Sequence, residues 1–348
     1  MPSTVKETLP AKLNQNLPEF RNQLLGWYDR EHRKLPWRVE KSTYRTVVSE
    51  LMCQQTQIAT VLPYFDRWMR ELPDFEALAA APEAQVLKLW EGLGYYSRAR
   101  NLQKLAKALV EMDAYPTDAK GWQRLPGIGP YTAAAIASIH NEQPIAVVDG
   151  NVIRVITRLT ADERPFKDGP SAAKLLQDTA NQLQESARPG DYNQATMELG
   201  ALICTKHNPM CTVCPVVNLC ASAAQGTQEA FPKLVPKKVT KVEIPRAWVF
   251  DKVNKTLLLA KIPDTAKRLA GHCELPELQK LGANVSPKNL MAKKSRGISN
   301  QRIAEPIYTA QPPYDLPQNH FWAKIDALDT VQLTGPHRRW IEELLKKE

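Results

Sequence analysis

The sequence predicts a mostly α-helical region over residues 1–222, a linker over 223–243 and an α+β domain over 244–348. Three observations carry this. The chain, at 348 residues, is long enough for two or three domains that each bury a core. From residue 17 to about 221, apolar residues recur every three or four positions, with capping residues between the runs and no convincing strand. Past Cys220 the texture changes to AAQGTQEAFPKLVPKKVTKVEIP, rich in proline and lysine and short of apolar periodicity, and then to short alternating apolar runs.

Element by element, the first long helix is expected over residues 44–62, with Val47, Val48, Leu51, Ile58, Val61 and Leu62 as its buried stripe. Further helices are expected from Pro82, from Ser97, from Tyr131, after Asp149, from Ser171 and from Asp191 into the cysteines. Pro82 suits a first helical turn, and Gly92 and Gly94 suit the stop after Glu91. In the second domain RAWVFDKVNKTLLLAKI, IAEPIYTAQ and HFWAKI read as strands, and HRRWIEELLKK as a closing helix.

Charge is uneven along the chain. Lysine and arginine exceed aspartate and glutamate by 46 to 37, a net +9 that makes a polyanionic partner plausible. From Ser222 onward there are 21 basic and 13 acidic residues, so the helical region is close to neutral. If that region binds nucleic acid, backbone amides and local patches must do it. No apolar segment approaches the roughly 20 residues that span a bilayer, and the N-terminus has no basic stretch followed by an apolar run. A protein of the cytoplasm is therefore expected, without a membrane partner. In that compartment six cysteines do not make a disulfide framework.

Four of the six lie in CTKHNPMCTVCPVVNLC, as Cys204, Cys211, Cys214 and Cys220 with spacing C-x6-C-x2-C-x5-C. Four thiolates this close can wrap one metal centre. Structural zinc usually takes two C-x2-C knuckles, whereas this loop has one knuckle with wide flanks, so a 4Fe-4S cluster is favoured over zinc. Cys53 and Cys273 read as small packing residues, and His207 as a surface side chain.

LPGIGPYTAAAIASIH places Gly127 and Gly129 directly before an alanine-rich helix. Amides left free beside a helix N-terminus form an anion site suited to a DNA phosphate, although a tight turn between packed helices needs the same glycines. Asp149, in AVVDGNV, precedes the next helix, where capping alone would explain it. Glu50 interrupts an apolar helix and is expected to share its face with Gln54 and Gln57, as a polar pocket or as an ordinary solvated face. Two carboxylates at an apolar pocket are what cleavage of a glycosidic bond needs, namely a proton donor raised by burial and an anion facing a cationic sugar.

The glycine hairpin, the aspartate and the four-cysteine loop, in this order, resemble the helix-hairpin-helix base-excision glycosylases that include endonuclease III. SELMCQQTQ, WEGLGYYSRARNL, LPGIGPYTAAA and VDGNV are similar, within them, to the adenine DNA glycosylases. The resemblance runs over residues 35–220 and weakens past the linker. It implies hydrolytic removal of adenine mispaired with 8-oxoguanine or guanine in double-stranded DNA, by a monomer acting with base flipping in the bacterial cytoplasm, at the nucleoid. Glu50 matches the general acid, and Asp149 the carboxylate that stabilises the cationic sugar or bonds to it. Tyr131 and Asn151 match residues that support that carboxylate and the sugar, while Gln55, Leu93 and Tyr95 match residues that probe and wedge the stack. The glycines around Leu93 favour an exposed turn there, with a core position for Leu93 and Tyr95 as the alternative. Bifunctional relatives carry a lysine where Tyr131 stands, and a phenol cannot form their Schiff base, so an enzyme without strong lyase activity is expected.

The C-terminal domain resembles a Nudix-like lesion-recognition domain, with TLLLAKIPDTAKRLAGHCELPEL following that family's run. The acidic helix of active hydrolases is absent after Glu274. The loop that reads 8-oxoguanine falls at Ile298, Ser299 and Asn300, where only the serine matches the family's F-S-H. Two other readings are a pyrimidine-damage glycosylase and lyase of the endonuclease III type, which Tyr131 argues against, and a non-catalytic iron-sulfur module that binds DNA.

Overall fold

The computed structural model describes residues 9–236, 239–266, 268–298 and 300–347. The chain divides into two compact units, Met1–Val235 and Pro236–Glu348.

The first unit is helical. Its first half contains α1 (Ala11–Gln15), α2 (Leu17–Glu31), α3 (Pro36–Val39), α4 (Thr43–Cys53), α5 (Ile58–Glu71), α6 (Phe75–Ala80), α7 (Glu83–Leu89) and α8 (Ser97–Val110). Then come α9 (Ala119–Trp122), α10 (Pro130–His140), α11 (Gly150–Thr160), α12 (Gly169–Leu183), α13 (Pro189–Leu202) and α14 (Ala221–Gln225). The starts are set chemically: Ser42, Asp74, Asp118, Asp149 and Asp168 each accept a backbone N–H of the following first turn.

The helix expected over 44–62 is two helices. α4 stops at Cys53, Gln55 takes a left-handed backbone with φ 56°, and α5 starts at Ile58. The carbonyls of Leu51, Met52 and Gln54, which a continuing helix would bond to later amides, accept instead from the Arg98 guanidinium. The stripe of Glu50, Gln54 and Gln57 therefore does not exist.

Two apolar cores form inside this unit. One joins α4 to α10 through Val47, Phe65, Trp68, Trp90, Leu102 and Ile136. The other joins α2, α11, α12 and α13 through Phe20, Leu24, Val155, Leu159, Leu176 and Leu199, with Cys204, Cys214 and Cys220 packed on its edge. Two glycines let the helices close up. A Cβ on Gly190 would sit 2.8 Å from Ile139 Cα, and one on Gly200 2.7 Å from Asn151 Cβ.

The segment expected as linker is largely ordered: it holds the end of α14, a 3₁₀ turn at Gln228–Ala230 and strand β1 (Thr240–Glu243). Within it, residues 233–235 run beside Phe166 of the helical unit.

The second unit is α+β. Its strands are β1, β2 (Arg246–Trp248), β3 (Phe250–Asp251), β4 (Thr256–Lys261), β5 (Cys273–Glu274), β6 (Leu290–Ile298), β7 (Gln301–Thr309) and β8 (His320–Lys324), and it ends in α15 (Gly335–Leu345). In one sheet β7 pairs in parallel with β1 and β2 and antiparallel with β6; in the other β4 pairs with β3, β5 and β8. Trp340, Ile341 and Leu344 of α15 bury against Trp248, Leu257, Leu259 and Ile307. Strand β6, LMAKKSRGI, was not legible, because three of its nine residues are basic.

Beneath the sheets lies a cluster of buried charges from five elements. Arg246 of β2 donates to Glu305 of β7 at 2.6 Å and to Glu274 of β5 at 2.9 Å, and Arg296 of β6 donates to Glu274 at 2.6 Å. His337 of α15 accepts from Leu275 N–H through Nδ1 at 3.0 Å, which leaves its proton on Nε2, 3.2 Å from Glu305 Oε2.

Candidate active site

The two cores of the helical unit leave a cleft of about 360 Å³ at their seam, its mouth included. α3 and α4 supply Trp37, Arg38, Thr46, Ser49 and Glu50 to its wall, α10 supplies Ile139, and α13 supplies Gln194 and Met197. Glu50 thus stands at the seam, on the side of the first core.

Its environment sets its acidity. Burial pushes the Glu50 carboxyl up to about 7; the Tyr131 hydroxyl, its hydrogen-bond partner, and the charge of Arg38 pull the other way, and the charge of Asp149 pushes further up. Tyr131, in the first turn of α10, also lies with its hydroxyl 3.2 Å from Met197 Sδ. Burial and the two carboxylates raise its phenol well above the ordinary range, so it is a neutral donor.

Asp149 comes from the second core. Its Oδ1 accepts from Val152 N–H at 2.8 Å, as the N-cap of α11, and its Oδ2 accepts from Asn151 Nδ2 at 3.0 Å. Burial raises this carboxyl, but those donors and the charge of Arg154 oppose the rise. The aspartate is thus both a cap and a partner in charge to Glu50. Asn151 is held in turn: Arg154 donates to its Oδ1 at 2.9 Å, to Gly200 O at 2.6 Å and to Cys204 O at 2.6 Å.

Before α10, Gly127 has φ 74°, and a Cβ there would lie 2.5 Å from Asn101 Cβ. Gly129, the N-cap of α10, faces open space. One glycine is needed for the bend and its packing; the other keeps the approach to the helix N-terminus clear.

The residues expected to probe a base stack fall on two turns. Gln55 is exposed, and Tyr95, with φ 47°, is 61% exposed. Leu93 corrects the expected exposed turn, since it is only 6% exposed and belongs to the first core. Its neighbours Gly92 and Gly94, with φ 105° and 69°, bend the chain there, and a Cβ on Gly92 would collide with the Tyr64 hydroxyl.

The four loop cysteines are free thiols. Each of Cys204, Cys211 and Cys220 acts on the charge of Cys214, and Arg158 donates to Cys204 Sγ at 3.3 Å. Among the described residues no group of three or more His, Cys, Asp and Glu side chains is arranged to hold a metal ion. His207 is exposed, Cys53 packs against the first core, and Cys273 lies in the core of the second unit. In that unit Asn300 is exposed and its carbonyl accepts from Thr240 N–H at 2.9 Å; Ser299 lies outside the described residues.

Residues 48–178 match the family model described as HhH-GPD superfamily base excision DNA repair protein. Over these residues the helical unit is similar to that superfamily. Its helix-hairpin-helix element is α9, the turn through Gly127 and Gly129, and α10. The chain is similar to adenine DNA glycosylase of Rattus norvegicus, 47% identical over 230 residues that cover 61% of this chain and 44% of the relative. It is similar to that of Homo sapiens, 46% over 224 residues, covering 60% and 40%. A third relative, adenine DNA glycosylase of Buchnera aphidicola subsp. Acyrthosiphon pisum, is 34% identical over 233 residues, covering 64% and 65%. The match spans less than half the length of the mammalian relatives.

Among solved structures, a thermostable thymine-DNA glycosylase has a TM-score of 0.54 at 25% identity, covering 61% of this chain and 98% of its own. An endonuclease III in a non-covalent DNA complex has a TM-score of 0.51 at 21% identity, covering 62% and 98%, and so shares the helix-hairpin-helix fold. Among the described residues no helix is long and apolar enough to cross a membrane.

The sequence did not single out Trp37, Arg38, Gln194 and Met197 in the cleft wall, nor Arg98, Arg154 and Glu198 behind it. A signal existed for some. Arg98 stands four residues before Leu102 on the apolar stripe of α8, and Glu198 sits beside Leu199 on the buried side of α13, where it binds Arg33 and Arg38. A charge on an apolar stripe asks for a partner.

Proposed function

We propose that the protein is a DNA N-glycosylase that removes adenine mispaired with 8-oxoguanine or guanine in double-stranded DNA by hydrolysing the N-glycosidic bond. The observation that carries this reading is the pair of unlike carboxyls at the seam, Glu50 pushed up to about 7 and Asp149 held by two hydrogen-bond donors. One is an acid poised near neutrality, and the other an anion. The similarity to adenine DNA glycosylases supports the choice of base.

In this reading an extruded adenine enters the cleft against Trp37, with Arg38 and Gln194 facing its polar edge. Glu50 gives its proton to a ring nitrogen, the bond to the sugar breaks, and the electron pair leaves with adenine. The carboxylate of Asp149 faces the oxocarbenium-like sugar, with Asn151 fixing its orientation. Water then adds to the sugar carbon, and Glu50 takes the proton back. Tyr131 holds Glu50 by hydrogen bond and offers no amine for a Schiff base, so strand cleavage is not part of the cycle. Gln55 and Tyr95 meet the opened stack, and the amides around Gly129 take a backbone phosphate.

Cys204, Cys211, Cys214 and Cys220 would hold a 4Fe-4S cluster. Four free cysteines within one loop, three of them packed on the edge of the second core, supply the donor set of such a group, which would crosslink that loop. The second unit, at Asn300, reads the base opposite adenine as a Nudix-like domain without hydrolase activity.

The test is single-turnover release of adenine from duplexes carrying adenine opposite 8-oxoguanine or guanine, with a borohydride trap for covalent adducts. Release without a trapped adduct supports the proposal. No release by the cluster-loaded wild-type protein overturns it, and rapid cleavage through a trapped adduct favours a lyase instead.

A further inference from the structure

One buried guanidinium joins the two turns that carry Gln55 and Tyr95. Nη1 of Arg98 donates to Leu51 O at 2.7 Å, Met52 O at 3.2 Å and Gln54 O at 2.6 Å, at the end of α4 and in the turn after it. Nη2 donates to Leu93 O at 3.0 Å and Gly94 O at 3.2 Å, in the turn before α8. Trp90 Nε1 adds a bond to Gly94 O at 3.1 Å. Arg98 is 8% exposed, its guanidinium lies 5.4 Å from the Trp90 ring centre and 5.5 Å from that of Tyr95, and among the described residues no carboxylate pairs with it. Its hydrogen bonds go to backbone carbonyls, and its face lies against the two rings.

Each turn presents one exposed non-glycine residue in left-handed backbone, Gln55 at φ 56° and Tyr95 at φ 47°. Such conformations persist only where the surroundings over-determine them. Here the shared element is the planar fork of Arg98, which reaches both turns at once. A lysine presents its donors from a single nitrogen and can satisfy one turn but not both.

We propose that Arg98 is a positioning residue that fastens the Gln54–Gln55 turn to the 93–95 turn, so that Gln55 and Tyr95 meet a duplex as one rigid two-pronged element. This rests on the reading of the protein as a DNA glycosylase. Two prongs held at fixed separation before binding need not be ordered by the DNA, and the opening of a paired stack falls to them together. An adenine that is already unpaired does not need them.

The test compares wild type, Arg98→Lys and a cycle of Gln55→Ala, Tyr95→Ala and the double variant, whose exposed positions leave the core intact. Two duplexes are used, one with adenine opposite guanine and one with adenine in a single-base bulge. Arg98→Lys is expected to slow single-turnover release from the paired duplex by about tenfold to a hundredfold, the size of a small misplacement, and from the bulge by less than about threefold. In the cycle, the double variant loses less than the product of the two single losses on the paired duplex. Hydrogen exchange of the free protein gives a readout independent of activity: Arg98→Lys speeds amides 54–57 and 93–96 together, while those of α10 stay protected. Equal losses on both duplexes, multiplicative losses in the cycle, or faster exchange in only one turn would each overturn the proposal. If wild type releases no adenine from either duplex, the glycosylase reading fails, and the exchange data alone decide whether Arg98 couples the turns.

Discussion

Both units bury glutamates, and they treat them in opposite ways. In the helical unit burial outweighs the Tyr131 hydrogen bond and the Arg38 charge, and Glu50 is pushed up to about 7. In the α+β unit burial would raise Glu274 as well, yet Arg296, His337 and Arg246 outweigh it and hold that carboxyl at about 2. Glu198, behind the cleft, follows the second pattern, because Arg33 and Arg38 outweigh burial and hold it at about 2. The same side chain is thus an acid ready to act near neutrality or a permanent anion. The number of guanidinium donors aimed at it decides which.

The largest expected effect breaks the first case. Glu50→Gln keeps the size of the side chain and removes its titration, and single-turnover adenine release should fall by about 10²–10⁴-fold. For wild type, release should slow about tenfold per pH unit above 7, as Glu50 loses its proton. Stability should move the other way. The folded Glu50 holds its proton more tightly than the unfolded one, so wild type loses stability as pH rises from the ordinary carboxylate range through about 7. The Gln variant escapes that loss and should be more stable at pH 8 by roughly 1–3 kcal/mol, with little gain at pH 4. Thermal melts at both values check this, and identical curves at pH 8 would show that Glu50 is not held as an acid.

The second case breaks by removing an anion. Glu305→Ala leaves Arg246 without a 2.6 Å partner in the buried cluster and should lower the stability of the α+β unit by about 3–5 kcal/mol, read by urea unfolding. Because Glu274 is held at about 2, its share of stability is present above the ordinary carboxylate range and is lost as pH falls toward 2, the opposite slope to Glu50.

Asp149 separates capping from chemistry. Asparagine caps a helix as well as aspartate, so Asp149→Asn should change stability by less than about 0.5 kcal/mol, whereas Asp149→Ala should cost about 1 kcal/mol. Both should slow adenine release by about tenfold or more, since each removes the charge that faces the cationic sugar. An Asn variant with wild-type rates would reduce Asp149 to a cap. The smallest effect belongs to Asn300→His, expected to change the ratio of release opposite 8-oxoguanine to release opposite guanine by less than about tenfold. An unchanged ratio would remove Asn300 from lesion reading.

Much of the helical unit was legible because its apolar period and its capping residues agree, as at Asp149 before α11 and Asp168 before α12. The break between α4 and α5 was not legible. No glycine or proline marks it, and the donor that replaces the helical amides, Arg98, comes from more than 40 residues away. Leu93 failed for a related reason. Its flanking glycines signal a bend but not its direction, and Leu93 packs into a core built from residues distant in sequence. Glu50 stood out as a charge on an apolar helix, although the glutamines expected beside it on that helix are not there. The cleft wall was invisible, because Trp37, Arg38, Gln194 and Met197 read in sequence as ordinary core or surface.

The buried charges of the α+β unit bear on how its hairpin assembles. In β6 and β7, Arg296 lies opposite Ile303 and Lys294 opposite Glu305. Side chains alternate along a strand, so sliding β6 by one residue would turn Arg296 to the other face of the sheet. The slipped hairpin would deprive Glu274 of both its bonds from Arg296 and turn Ala292 and Ile298 outward with it. A one-residue slip therefore exposes apolar side chains and leaves a buried carboxylate short of its partners. The cluster thus makes the correct alignment of the two longest strands a condition of closing the core.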